Sequence, residues 1–192
     1  MNTQQFHELD FWNKLIQEEG TGFYMRRLAD YKRHHEMFKG QIDLHGNGLE
    51  MGTGCFSMLE YSNADSVIGI DPLADEYAKI LTTPNKKVDV RNLDGENTGL
   101  PDNKFDWIAC WNVIDHTPNP MAMASEIFRL LKRGGKLYFN VNFDDKLSPA
   151  HFSLWNKGKV DYCLQDFIEI WHEETRNEPD CQSWYYAIYQ KP

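Results

Sequence analysis

The sequence predicts an α/β fold: a parallel sheet with helices on both faces, closed by an antiparallel pair of strands. Three observations predict it. From about residue 46 to residue 143, strand-like apolar runs alternate with helical stretches. Within that region FDWIACWNVI, Phe105 to Ile114, is almost continuously apolar, as a strand buried on both faces must be. Near the C-terminus, FIEIWHE and SWYYAIYQK alternate, are aromatic and β-branched, and flank a turn at NEPD, 177–180, which reads as a hairpin.

Residues 4–39 read as helical, with Phe6, Leu9, Trp12, Leu15 and Ile16 forming one apolar stripe and Gly20 and Gly22 breaking it. The second run, Tyr24 to Phe38, has Leu28, Tyr31 and Phe38 on one side. Its RRLADYKRHH segment, with His34 and His35, is expected to be a solvated face. Gly46 to Met51 is a short strand leading into a glycine turn, and Ser57 to Ser62 the start of a helix. SVIGID, 66–71, is a compact strand ending in an acid. Asp75 to Leu81 is a helix and Lys87 to Val90 a weak strand. Met121 to Lys132 is a helix with Ile127, Leu130 and Leu131 inward, capped by Gly134-Gly135. Lys136 to Phe143 is the next strand, and 147–166 is irregular or helical.

A chain of 192 residues suits one domain and buries a core without a disulfide or a metal. Lys and Arg total 20 against 29 Asp and Glu, a net charge of −9, so nucleic acid is a poor partner. Cys55, Cys110, Cys163 and Cys181 form no CxxC pair and no His stands at zinc-finger spacing, so reduced thiols and no metal site are expected. MNTQQFHELDFW lacks the pattern of a signal peptide, and no apolar run reaches membrane-span length. A cytoplasmic protein is expected.

The chemistry centres on LEMGTGCFS, 49–57. Gly52 and Gly54, with Thr53 between them, follow a strand and leave room for a ligand to approach the backbone. An ordinary strand-to-helix turn would read the same. Asp71 ends the next strand, 19 positions after Gly52, where a carboxylate takes both hydroxyls of a ribose. It would equally cap a helix before Pro72. A dinucleotide needs a helix N-terminus at its pyrophosphate and favours a third glycine. S-adenosylmethionine has a ribose and no phosphate, so Phe56 in place of the third glycine leans towards it.

Together LEMGTG, VIGIDPLADEY, DGENTGLPDNKFDWIACWNVIDHTPNP and EIFRLLKRGGKLYFNV resemble the class I S-adenosylmethionine-dependent methyltransferases, specifically the small type 11 domains. The resemblance runs from about Gly46 to Phe143 and implies a Rossmann-like seven-stranded sheet of order 3-2-1-4-5-7-6, strand 7 antiparallel. Glu50, Gly52, Thr53 and Gly54 match the motif around the methionyl part of the cofactor. Asp71 matches the ribose acid, with Pro72 and Leu73 beside the adenine. Asp94-Gly95 matches the pair that reads the adenine edge. Because NTG lengthens the link to LP here, Glu96 is an alternative to Asp94. Trp111, Asn112 and Val113 match the strand-four end that meets the methionyl ammonium.

His116, in NVIDHTPNP, is a candidate acceptor-side base, with Asp115 beside it. A histidine that only bonds the Thr117–Pro120 turn is the plain alternative. His151, with Phe152 and Trp155, is a candidate acceptor wall; a surface loop with one buried Trp reads as well. The expected organisation is one domain, 1–192, with 1–45 as N-terminal helices able to form a lid and 46–192 as the core. The expected function is methyl transfer to a small-molecule acceptor. One alternative is a non-catalytic cofactor-binding or interaction module. The other is a nicotinamide-dependent oxidoreductase, for which a Tyr-x-x-x-Lys pair is lacking.

Overall fold

The computed structural model describes residues 3–81, 87–143, 153–175 and 183–192. Seven strands form one sheet in the order β3-β2-β1-β4-β5-β7-β6. In chain order they are β1 (Asn47–Met51), β2 (Ser66–Ile70), β3 (Asp89–Arg91), β4 (Phe105–Trp111), β5 (Leu131–Phe143), β6 (Ile168–Glu174) and β7 (Ser183–Gln190). The first five pair in parallel, and β7 runs antiparallel to both β5 and β6. The predicted architecture and strand order are those observed.

Strand β4 explains its own apolar run. Trp107, Ala109 and Trp111 pack on one face with Phe38, Tyr138 and Tyr186. Ile108 and Cys110 pack on the other with Leu49, Ile127 and Phe139. Burial on both sides removes the need for polar alternation. The second face is covered by α4 (Pro120–Leu130) and α5 (Lys157–Cys163). Helix α3 (Ala74–Ile80) follows β2.

Two helices precede the sheet, α1 (Thr3–Glu19) and α2 (Gly22–Met37), split at Gly20, whose φ is +53°. Phe38, fully buried just past α2, sets its ring 5.5 Å from Tyr186 and 5.9 Å from Tyr138, pinning α2 to the sheet. The expected solvated face of α2 is corrected here. Arg27 and His34 are each only 8% exposed. They share one face with Phe23 and Phe38, at spacings that bring side chains together on a helix.

Three boundaries also differ. Helix α4 stops at Leu130, because Leu131 is already extended and pairs with Phe105 of β4. The two glycines expected as its cap lie inside β5, where Gly134 N–H donates to Lys191 O and Lys191 N–H to Gly135 O. Ser57 to Ser62 is a single 3-10 turn, Met58–Tyr61, capped by the Ser57 hydroxyl on Leu59 N–H. Strand β4 ends at Trp111, since Asn112 takes a positive φ of 55°. The 177–180 turn lies outside the described residues.

Candidate active site

A cavity of about 540 Å³ lies at the C-terminal ends of β1, β2 and β4, with α1 and α2 lining its other side. Its floor is the glycine turn. Gly52 and Thr53 N–H groups both donate to Ile70 O, which ties the turn to the end of β2. Gly52 has φ +70°, and a Cβ there would stand 2.6 Å from both methyls of Val113. Gly54 has φ +59°, and its Cβ would meet the Trp12 ring at 3.0 Å. The turn is therefore pressed from β4 on one side and from α1 on the other.

Trp12 is held in that place. Its Nε1 donates to Glu8 Oε1 at 2.8 Å, and the Arg27 guanidinium lies 5.0 Å from its ring centre. Arg27 donates through Nη2 to Phe56 O at 3.1 Å and pairs with Asp30 at 3.2 Å. Phe56, standing where a third glycine was looked for, packs against Tyr24 and Tyr61. Its backbone and ring both fasten α2 over the turn.

Asp71 is buried and accepts two backbone N–H bonds, Gly54 to Oδ2 and Leu73 to Oδ1, each 2.9 Å. Burial pushes its carboxyl up to about 6, opposed by those two donors. It thus caps the turn before α3 and braces the glycine loop at once. Glu50, in β1, is buried beneath the turn and accepts from the Ser57 hydroxyl. Burial pushes it up to about 7 from an ordinary 4.5. A carboxyl raised by folding stabilises the protein fully below its unfolded pKa, and that stability is lost as pH rises through the folded one. Glu50→Gln keeps the acceptor for Ser57 and removes the titration. The variant is expected to gain on the wild type between pH 4.5 and 8, by on the order of 3 kcal/mol. Melting temperatures across that range check this, and a difference that stays flat refutes it.

Asp94 and Gly95 line the cavity from the loop after β3. Asp94 Oδ1 accepts from Glu96 N–H at 2.8 Å. Glu96 lines the cavity beside Thr117, and its Oε1 accepts from Thr117 Oγ1 and from Asn119 N–H. Pro72, Leu73, Trp111, Asn112 and Val113 all line the cavity. Trp111 Nε1 and Asn112 Oδ1 are buried without a hydrogen-bond partner among the described residues. His116 also lines it, with Glu8 Oε2 3.8 Å from Nδ1 and Asp115 Oδ2 3.7 Å from Nε2.

Residues 49–139 match a family model described as a methyltransferase domain. Over these residues the chain is similar to methyltransferase domains. The chain is 34% identical over 133 residues to an uncharacterized protein of Methanocaldococcus jannaschii, covering 69% of this chain and 62% of that one. It is 37% identical over 65 residues to the ubiquinone biosynthesis O-methyltransferase of Xanthomonas oryzae pv. oryzae, covering 34% of this chain and 24% of that enzyme. The chain thus spans less than two thirds of the length of these relatives. Among solved structures, phosphoethanolamine N-methyltransferase 2 of Haemonchus contortus, in complex with phosphomonomethylethanolamine and S-adenosylhomocysteine, superposes with TM-score 0.66 at 16% identity. That match covers 84% of this chain and 52% of that one. It shares the fold.

One cavity gathers twelve of the residues expected to bind the cofactor, Glu50 alone standing behind it. Asp115 is buried and does not line the cavity. His151 and Phe152 lie outside the described residues. Trp155, weighed both for an acceptor wall and as the one buried Trp of its loop, is buried in the core with Val160 and Cys163. Among the described residues no cluster of His, Cys, Asp and Glu could hold a metal ion, and no helix is long and apolar enough to cross a membrane.

The residues missed from the sequence are on the helices that roof the domain. Trp12, Arg27 and His34 line the cavity. His34 is stacked 5.8 Å from Trp111, with Nδ1 2.9 Å from Asn140 Nδ2 and 3.2 Å from Tyr186 Oη. Burial first, then the neighbouring Arg33 and Arg27 charges, push His34 down to about 3. A signal existed: Phe23, Arg27, His34 and Phe38 repeat at spacings of four, seven and four along one helix.

Proposed function

We propose that this chain, as one domain over residues 1–192 with residues 1–45 as its lid, transfers a methyl group from S-adenosylmethionine to a small-molecule acceptor. The observation that carries this reading is the convergence of the Gly52–Gly54 turn, Asp71 and Asp94 on one cavity at the ends of adjacent strands. When bound, the cofactor supplies a methyl group on a sulfonium, already activated for transfer. The chain's task is to hold the acceptor in line and keep water out, which is worth roughly 7–11 kcal/mol of barrier when positioning is good.

The donor set fits such a cofactor. Asp71 retains lone pairs on both oxygens for ribose hydroxyls beyond its two backbone donors. Asp94 reads the adenine edge in preference to Glu96, whose Oε1 already serves Thr117 and Asn119. Pro72 and Leu73 lie against the ring. Trp111 Nε1 and Asn112 Oδ1 face the methionyl tail, where their unmet hydrogen bonds find partners. His116, with carboxylates near both ring nitrogens, ties α1 to the turn after β4.

A small acceptor is the reading that α1 and α2 favour, because residues of both helices, Trp12, Arg27 and His34 among them, line the cavity. Calorimetry is expected to show binding of S-adenosylmethionine and S-adenosylhomocysteine and none of NAD. Mass spectrometry of metabolite extracts incubated with enzyme and cofactor is expected to find a product heavier by one methylene unit. Tight NAD binding with no response to S-adenosylmethionine would overturn the reading. Cofactor binding without turnover on any acceptor would reduce it to a binding module.

A further inference from the structure

We infer that Glu126, a buried carboxylate of α4 outside the cavity, is a positioning residue that sets the preference of the site for adenine. It acts by anchoring Thr98, in the loop that carries Asp94. This rests on the methyl-transfer reading above, with Asp94 at the adenine edge.

The loop is residues 92–104, between β3 and β4. Its distinctive feature is NTG, 97–99, which lengthens the link to Leu100-Pro101. Each of the three residues has a task in the fold. Asn97 N–H donates to Asp94 O at 3.2 Å, closing a turn around Gly95 and Glu96. Thr98 sends both its N–H and its hydroxyl to Glu126 Oε1, at 2.8 and 2.5 Å. The same hydroxyl oxygen accepts from Leu100 N–H at 3.1 Å. Gly99 takes a φ of +67°, which suits glycine.

The anchor is on α4. Asn119, which caps the helix, Met123 and Glu126 follow at spacings of four and three, along one face. Each meets the loop. Asn119 N–H donates to Glu96 Oε1 at 2.8 Å, and a Cβ on Gly95 would stand 2.7 Å from Met123 Cε. The contact at Glu126 is buried, with Thr98 4% and Glu126 7% exposed. Arg129 fixes the carboxylate in turn, donating through Nε to Oε2 at 2.8 Å and through Nη2 to Oε1 at 2.7 Å. Burial alone would raise the Glu126 carboxyl, but the bonds from Arg129 and Thr98 prevail and hold it down at about 2.

Without Glu126, two buried donors on one residue lose their partner, and the loop must swing towards water to satisfy them. Asp94 is joined to Thr98 through the turn that Asn97 closes, so it moves too. The consequence falls on selectivity. A carboxylate only accepts, so Asp94 takes the 6-amino group of adenine and opposes a carbonyl at that position. Its Oδ1 already accepts from Glu96 N–H at 2.8 Å, so discrimination depends on where Oδ2 is held.

The test is calorimetry on the full chain with S-adenosylhomocysteine and S-inosylhomocysteine, the analogue in which the 6-amino group is a carbonyl. The wild type is expected to bind the adenosyl compound roughly tenfold or more tightly. Glu126→Ala is expected to cut that preference to about threefold or less, by weakening the adenosyl compound alone. Glu126→Gln, whose amide oxygen still accepts from Thr98, is expected to restore the preference to within about twofold of the wild type. Thr98→Val removes the hydroxyl and keeps the backbone donor, so an intermediate preference is expected, and it decides the matter if Glu126→Ala does not fold. A wild-type preference in folded Glu126→Ala or in Thr98→Val, or equal weakening of both compounds, would overturn the inference and leave Glu126 a stabilising residue only. Titration of the wild type separates the two readings. Failure to bind either compound removes both, while equal affinity for the two leaves methyl transfer standing and removes this one.

Discussion

Asp71→Ala is expected to weaken S-adenosylmethionine binding by roughly 10- to 150-fold, the loss of charge-assisted hydrogen bonds of about 1.5–3 kcal/mol. The carboxylate is buried at the end of β2 and faces two tasks. It holds Gly54 N–H and Leu73 N–H, and it offers its remaining lone pairs to the cavity. Removing it loosens the turn as well as the ribose site, so melting temperature must be followed alongside calorimetry. A pH series separates the two tasks. Ribose hydroxyls donate to the ionised form, while the empty site holds the carboxyl up at about 6. Affinity in the wild type is therefore expected to rise with pH through about 6 and then level off. Asp71→Asn is expected to show no such rise. Affinity of Asp71→Ala within twofold of the wild type would leave Asp71 as a turn cap and nothing more.

Much of this molecule can be read from its residues, for reasons that differ by element. Strand β4 is legible because both its faces are buried, which forces an apolar run. The glycine turn and Asp71 are legible because their spacing follows from a strand, a turn and a second strand of ordinary length. The end of α4 is not, because Leu131 is as good at closing a helix as at opening a strand, and its pairing with Phe105 decides. Nor is the roof. Arg27 and His34 are polar residues on an inward face, and composition alone assigns them to solvent. What buries them is tertiary: a carbonyl at Phe56 for Arg27, and Trp111, Asn140 and Tyr186 for His34. The same holds for Glu96. Its neighbour Asp94 has the same charge, and only the fold shows that Thr117 and Asn119 claim Glu96.

Gly52→Ala is expected to destabilise the protein by roughly 2–5 kcal/mol, and Gly54→Ala by only about 1–2 kcal/mol. Both residues have positive φ, +70° and +59°, so each substitution meets the same penalty for a side chain in the left-handed region. The difference lies in what the new methyl meets. At Gly52 it would stand 2.6 Å from both branches of Val113, which lies two residues past the end of β4 and is packed against the core. A β-branched side chain has few rotamers to retreat into, so the strain passes to the backbone of β4. At Gly54 the methyl would meet the Trp12 ring at 3.0 Å, and Trp12 belongs to α1, which contacts the sheet less than β4 does. At Gly54 the contact is relieved by a few tenths of an ångström given by Trp12 and α1, with no strand displaced. Urea titration of both variants measures the first difference. Tryptophan emission and cofactor calorimetry measure the second: Gly54→Ala is expected to stay folded, shift its emission, and bind S-adenosylmethionine more weakly because the roof no longer seats on the turn. Equal loss of stability at the two positions would mean that α1 is as fixed as the sheet, and that it does not act as a lid.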